Sequence, residues 1–315
     1  MNELLLQKLS TVSPEEQRLL AGQSEIQRSI YMDADSDVID AGKLLSIGRL
    51  IDLRPHTRFA HFPEHSHNYV EVVYMCRGTT THIVNGKTLR LRQGELLFLG
   101  QGARQEILPA GAEDVAVNFI ILPQFFDRAL EMLEEGETPL RKFIVDSLRG
   151  DNANCLYFQV TDVPEIQNLV ENLIWTLTGG SFSNRRSVCQ TTMGLLFMQL
   201  LNYTDRLVSQ SAGEEAIVRV LRYIEENYRD GSLTEIAGAL HYDLSWLSRE
   251  IRRQTGKTYK ELLQEKRLTQ AVYFLTHTDL RVDEIGEAVG YSNLSFFHRI
   301  FREKYGTSPK KYRDA

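Results

Sequence analysis

A chain of 315 residues, 42% hydrophobic and 25% charged, with a formal net charge of −6, is long enough for two domains that each bury a core. The composition excludes fibrous and disordered chains, and no run approaches the roughly 18 apolar residues of a membrane-spanning helix. The three cysteines, Cys76, Cys155 and Cys189, are odd in number and widely spaced. They argue for small buried residues in a reducing compartment and against a disulfide framework or a zinc ribbon.

Residues 1–46 read as a helical and extended segment. Its start, MNELLLQKLSTVSPEEQ, has neither a basic opening nor an apolar run long enough for a secretory signal, so a cytoplasmic location with no membrane partner is expected. From 47 to 122, short apolar runs alternate with turn signals, and Asn85-Gly86 between two β-branched runs marks a hairpin. Several such strands at regular spacing predict an antiparallel sandwich or barrel. From 123 to 210, apolar residues recur at three and four, which predicts helices. Between Met193 and Leu201 they crowd most of the helix circumference, as burial against the β region or in a homodimer interface would require. SQSAGEE, 209–215, reads as a linker, and 215–315 reads as helical throughout.

Charge is unevenly distributed. Residues 1–213 hold 19 Lys and Arg against 26 Asp and Glu, and residues 214–315 hold 17 against 16. Within the second part, 244–267 carries seven basic and three acidic side chains, and 294–313 carries six and one. For a polyanionic partner the local potential matters more than the sum.

The same part contains an internal repeat. LTEIAGALHYDLSWLSREIRRQTGKT overlays VDEIGEAVGYSNLSFFHRIFREKYGTS: Glu235, Ile236 and Tyr242 match Glu284, Ile285 and Tyr291 at an offset of 49. Ser245, Arg249 and Gly256 match Ser295, Arg299 and Gly306 at an offset of 50. Each copy, about 233–256 and 282–306, predicts a short helix with small residues, a tight turn and a longer helix, capped by Asp243 or Ser292-Asn293. In the longer helices Leu247 and Ile251, or Phe297 and Phe301, form the core stripe. Ser245, Ser248, Arg249, Arg252 and Arg253 fall outside it in the first copy, and Ser295, His298, Arg299 and Arg302 in the second. Such a helix suits the major groove of double-stranded DNA, early side chains reaching base edges and later ones phosphate.

The tail VDEIGEAVGYSNLSFFHRIFREKYGTSPKKYR closely resembles the signature of the AraC/XylS transcription regulators, over residues 215–313. The resemblance implies a seven-helix DNA-binding domain in which Ser245, Ser248, Arg249, Ser295, His298 and Arg299 occupy base-reading positions. It also implies that Pro309 and Tyr312 are structural. His241 departs from the family's usual glycine, so a looser first turn is expected.

Ahead of this domain, HFPEHSHNYVEVVYMCRG carries His65, His67, Glu71 and Gly78 at the spacing of the first cupin motif, and resembles it. Strand alternation would point His65, His67 and Glu71 inward, a set suited to a divalent metal. The second motif keeps Gly94 and Gly102, has Gly100 for proline, and has Gln105 where a further histidine would fall. In AraC/XylS regulators the resemblance implies an effector pocket rather than a catalyst. Arg58, Arg104 and Asn118 join His65, His67 and Glu71 as effector-binding candidates, Arg58 for its planar fork. His82, Phe59, Phe62 and Tyr69 are further possible lining residues.

The fold expected is therefore multi-domain α and β: an amino-terminal cupin-like β-barrel, a helical linker and dimerisation segment, and an all-α carboxy-terminal domain with two helix-turn-helix units. The function expected is a ligand-responsive, homodimeric DNA-binding transcription regulator with no catalytic residues and no required cofactor. A carbohydrate is the favoured effector class. The alternatives are a cupin metalloenzyme carrying a DNA-binding tail, holding metal through His65, His67 and Glu71, and a structural DNA binder with a vestigial barrel.

Overall fold

The computed structural model describes residues 1–23, 25–133, 138–150, 152–180, 183–208 and 212–314, without the side chains of 212–215. The chain divides into two compact units, the first ending at Val208 and the second holding the carboxy-terminal helices.

In the first unit, α1 (Glu3–Leu9) and α2 (Pro14–Leu20) precede β1 (Val38–Ile39) and the single turn α3 (Ala41–Leu44). Strands β2 (Ile51–Pro55), β3 (Phe62–His67), β4 (Val70–Arg77), β5 (Thr79–Val84), β6 (Lys87–Arg92), β7 (Leu96–Leu99), β8 (Gln105–Ile107) and β9 (Val115–Ile121) follow. Then come α4 (Asp127–Met132), α5 (Pro139–Arg149), β10 (Cys155–Phe158), α6 (Pro164–Thr178), α7 (Arg185–Asn202) and β11 (Leu207–Val208).

The strands form two sheets, in the orders β1-β3-β8-β5-β6 and β11-β10-β7-β4-β9-β2. The barrel expected from the sequence is thus a two-sheet, cupin-like sandwich. β1 adds to β3 in parallel, which draws the amino-terminal segment into the sandwich. Two strands, β10 and β11, also lie in the region expected to be helical, and β10 pairs with β7 in the larger sheet.

Central strand β4 is buried on both faces, as its nearly continuous apolar run requires. Val70, Val72, Tyr74 and Cys76 face a core shared with α1 and α4–α7, while Val73 and Met75 face the smaller sheet. That alternation sets the site. Glu71 on β4, Asn118 on β9 and Arg54 on β2 all fall on the inner phase, and Arg54 is the direct cross-strand partner of Asn118. Most of the crowded apolar surface of α7 is absorbed by this core through Cys189, Met193, Leu196, Phe197 and Leu200. Leu195 and Met198 stay exposed.

The second unit is α8 (Ala212–Asn227), α9 (Leu233–Ala239), α10 (Leu244–Thr255), α11 (Tyr259–His277), α12 (Val282–Ala288), α13 (Leu294–Tyr305) and α14 (Pro309–Arg313). It has two small cores, and α11 belongs to both. Its Tyr259 and Leu262 pack with Leu247 and Ile251, and its Leu268, Ala271 and Leu275 pack with Phe297 and Phe301. Small residues permit the close crossings: a Cβ on Gly286 would lie 2.7 Å from the Leu294 side chain. Tyr312 packs edge-on against Phe301 at 5.6 Å, beside the buried Pro309. The linker expected at 209–215 falls largely outside the described residues.

Candidate functional sites: a polar-lined cavity and a nucleic-acid face

The first unit contains a cavity of about 540 Å³, counting the solvent at its mouth. Its apolar wall includes Ile39, Phe62, Tyr69 and Ile120, and its polar wall includes Arg54, His56, His65, Glu71 and Asn118. The segment before the strands closes one side through Ile26, Tyr31, Ile39 and Leu44. Sequence reasoning gave that segment no part in the site.

A hydrogen-bonded chain runs along the polar wall. His56 Nδ1 donates to Asn118 Oδ1 at 3.0 Å, and Asn118 Nδ2 donates to Glu71 Oε1 at 2.9 Å. This fixes the His56 tautomer and leaves its Nε2 as an acceptor. His56 Nε2, Glu71 Oε2, Gln105 Oε1 and both ring nitrogens of His67 are buried without a hydrogen-bond partner among the described residues. Burial without a counter-charge raises the Glu71 carboxyl to about 7, the Asn118 bond opposing this only in part. Burial also lowers His65 to about 4 and holds His56 and His67 below the usual histidine range. The 3.7 Å contact between His67 Nε2 and Glu71 Oε2 is therefore not an ion pair, since the imidazole is neutral and the distance exceeds a hydrogen bond.

The candidates from the sequence separate into three groups. His65, Glu71 and Asn118 line the cavity, as do Phe62 and Tyr69. His67 lies outside the lining; it is buried between His65 and Tyr69, with ring centroids at 5.1 and 4.9 Å. His82 is satisfied elsewhere, bonding Thr80 at 2.9 Å and Gln105 at 2.8 Å.

Arg58 and Arg104 are not in the cavity. Arg58, 4% exposed, pairs with Glu16 through Nε at 2.7 Å and Nη2 at 3.0 Å. Its other N–H groups reach the carbonyls of Ala112 and Ser10. Four of its five guanidinium N–H groups are thus used in fastening α2 to the sheets, and Phe59 packs beneath it. Arg104 is on the outer surface, bonded to Asp37 at 2.7 Å and Glu64 at 3.0 Å.

The metal set also fails to assemble. Among the described residues, no three His, Cys, Asp or Glu side chains converge as a metal site. The turn at Asn68 and Tyr69 separates β3 from β4, placing both histidines in one sheet and Glu71 in the other. His65 Nδ1 donates to the Pro63 carbonyl at 2.7 Å, which leaves the lone pair on its Nε2. Gln105 does sit opposite His65 on β8, the place a further histidine would take. The three-residue set expected from the sequence is thus not brought together among the described residues.

Among the lining residues missed are the titratable Arg54 and His56. The signal available was their position four and two residues before Arg58, in and just after a strand whose register with Asn118 only the folded sheet reveals.

In the second unit each long helix is capped as expected. Asp243 accepts from Trp246 N at 2.8 Å and Asn293 from Phe296 N at 3.0 Å, and both helices end in left-handed glycines, Gly256 and Gly306. Leu247, Ile251, Phe297 and Phe301 are buried. Ser245, Ser248, Arg249, Arg252, Arg253, Ser295, Arg299 and Arg302 are exposed, and His298 is half-buried. Arg253 is held by Glu250, Arg299 by Glu303 at 3.1 Å, and His298 approaches Asp283 at 3.9 Å.

The expected loosening at His241 does not occur. His241 takes φ 57° where its counterpart Gly290 takes 93°. Tyr242 N reaches Ala237 O at 3.0 Å, and Tyr291 N reaches Gly286 O at 2.9 Å. The two turns close with the same hydrogen bonds, the first with a strained non-glycine residue.

A sandwich with a polar-lined cavity, joined to two helix-turn-helix units that expose serine and arginine, defines a ligand-responsive DNA-binding transcription regulator. Comparison with known proteins agrees. The AraC-like ligand binding domain matches residues 53–201, and a helix-turn-helix domain matches 227–315. The chain belongs to the AraC/XylS family.

It is similar to the HTH-type transcriptional activator RhaS of Salmonella schwarzengrund, 24% identical over 277 residues, covering 84% of this chain and 92% of that one. Among solved structures, the C-terminal domain of AraT, a response regulator from Geobacillus stearothermophilus, is 31% identical over 33% of this chain and 88% of its own, with a TM-score of 0.31. Apo ToxT from Vibrio cholerae is 13% identical over 84% of this chain and 96% of its own, with a TM-score of 0.37.

Proposed function

We propose that a small metabolite occupies the cavity and that its preference for one arrangement of the first unit changes how the two helix-turn-helix units engage a promoter, with activation as the mode. Such coupling requires the ligand to bind one state better than another. The observation that carries the reading is the group of buried, unpartnered polar atoms on His56 and Glu71 at the cavity wall. A protein interior leaves such atoms unpaired only where something else supplies the bond. No resident metal or catalysis is required.

The chain is read as a cytoplasmic homodimer. No helix among the described residues is long and apolar enough to cross a membrane, and Leu195 and Met198 leave an apolar strip exposed along α7. Leu195→Arg should convert the dimer to monomer in sedimentation; an unchanged mass would remove α7 as the interface.

The test of the function is binding to a fragment of the controlled promoter, with and without the small-molecule fraction of host lysate. Binding should be sequence-specific, fall steeply with salt and change with the fraction. Sequence-independent binding that ignores the fraction would defeat the reading.

A further inference from the structure

Arg54 is the one lysine or arginine among the cavity-lining residues. Its guanidinium lies over the Tyr31 ring, 5.2 Å from the centroid. Stacking occupies the face of the guanidinium and leaves its in-plane N–H edge free to bind. Among the described residues no carboxylate or carbonyl takes that edge. The acid that shares the cavity, Glu71, is held by Asn118 instead.

Arg58, expected in the cavity and found outside it, shows what a satisfied guanidinium looks like in this unit: a carboxylate on its fork and carbonyls on two further N–H groups. A half-buried cation without a counter-ion is costly, and an anionic ligand removes that cost. Burial keeps His56 and His65 neutral and Glu71 already carries part of a negative charge, so Arg54 alone matches at most one anionic group. On the same wall, the His56 Nε2 acceptor requires a donor, which a ligand hydroxyl supplies. Tyr31, Phe62 and Tyr69 offer ring surface to the ligand's less polar face.

We propose that the effector is a small hydroxylated monocarboxylate, its carboxylate on the Arg54 fork and a hydroxyl on His56. This rests on the cavity being the effector site. It covers both sugar acids and aromatic or aliphatic hydroxy acids, which share this chemistry.

The experiment uses the full chain, with D-galacturonate, D-gluconate and mandelate set against their neutral counterparts D-galactose, D-glucose and mandelamide, in thermal shift and titration calorimetry. The lysate small-molecule fraction is added before and after removal of anions on an exchange resin. At least one acid, or the untreated fraction but not the anion-depleted one, should raise the melting temperature.

Arg54→Gln should weaken that binding about ten- to hundredfold, the scale of a lost charge-assisted hydrogen-bonded pair, and Arg54→Lys should weaken it less. Which acid responds separates sugar acids from other hydroxy acids.

Neutral compounds, or the anion-depleted fraction, acting equally on wild type and Arg54→Gln would overturn the acid class and leave the effector reading standing. No response to any of the six compounds or to the untreated fraction would overturn both.

Discussion

Arg58 in the first unit and Arg249 in the second carry the same guanidinium under opposite conditions. Arg58 is 4% exposed, and Glu16 and two carbonyls take up four of its five guanidinium N–H groups. Arg249 is exposed on α10, with no hydrogen bond or ion pair to any described residue. The first is part of the scaffold, because most of its donors are spent before any ligand arrives. The second is available, because the residue four positions on is Arg253 rather than an acid. What distinguishes a binding arginine from a structural one is which groups the fold places around it, and residue type alone cannot show that.

Substitutions should divide along this line. Arg58→Met strands the buried Glu16 carboxylate and should cost the first unit about 3–5 kcal/mol. Each unit has its own tryptophan, Trp175 and Trp246. Denaturation followed at Trp175 in a Trp246→Phe background should show the loss, while DNA affinity of the folded fraction is retained.

Acid should also act on the first unit. His65 is lowered from 6.5 to about 4, so the unfolded chain binds its proton first. Stability from this group is complete above 6.5 and is lost as pH falls toward 4, by about 3 kcal/mol over that window. His56 and His67, also lowered, add in the same direction. Glu71 opposes them, since its raised carboxyl favours the folded state at low pH and gives that up as pH rises from 4.5 toward 7. Melting curves at Trp175 between pH 4 and 8 should show the histidine trend, and Glu71→Gln should steepen it.

On the DNA side, Arg249→Ala should cost about 1–3 kcal/mol and relax preference at one or two base pairs. Arg299→Ala should cost less, because Arg299 must first leave Glu303 and the Phe296 ring; equal losses would show that these contacts do not compete with DNA. Arg302→Gln should weaken all sequences alike and reduce the slope of log K against log salt by about 1. The smallest effect is expected at the turn: His241→Gly relieves a left-handed residue but loosens the unfolded chain, for a net stabilisation of about 0.5 kcal/mol read at Trp246.

The second unit was largely legible in the sequence because its determinants are local. The stripe at Leu247 and Ile251, the cap at Asp243 and the glycine at 256 each act within one or two turns, and the repeat states them twice. The cavity was legible only in part. Alternation carried Glu71 inward but was counted through the turn at Asn68 and Tyr69, where β3 passes to β4 and the strand phase resets; Asn118 was named only as a polar candidate. Arg54 and His56 depend on pairing with β9 more than 60 residues later. Arg58 was misplaced because its partner, Glu16, lies 42 residues upstream in a segment that showed no sign of packing on the sheets.

Helix α11, at 19 residues, spans about 28 Å and gives each end to a different core. Because both ends are embedded, its residue count fixes an angle as well as a distance. Removing one residue would turn α12 and α13 by about 100° around the helix axis while moving them only about 1.5 Å along it. The exposed serine and arginine face of α13 would then point in a different direction relative to that of α10. Changes in α11 length that keep the two units in phase therefore come in near-whole turns, and the spacing of the two DNA contacts is as discrete as the helix itself.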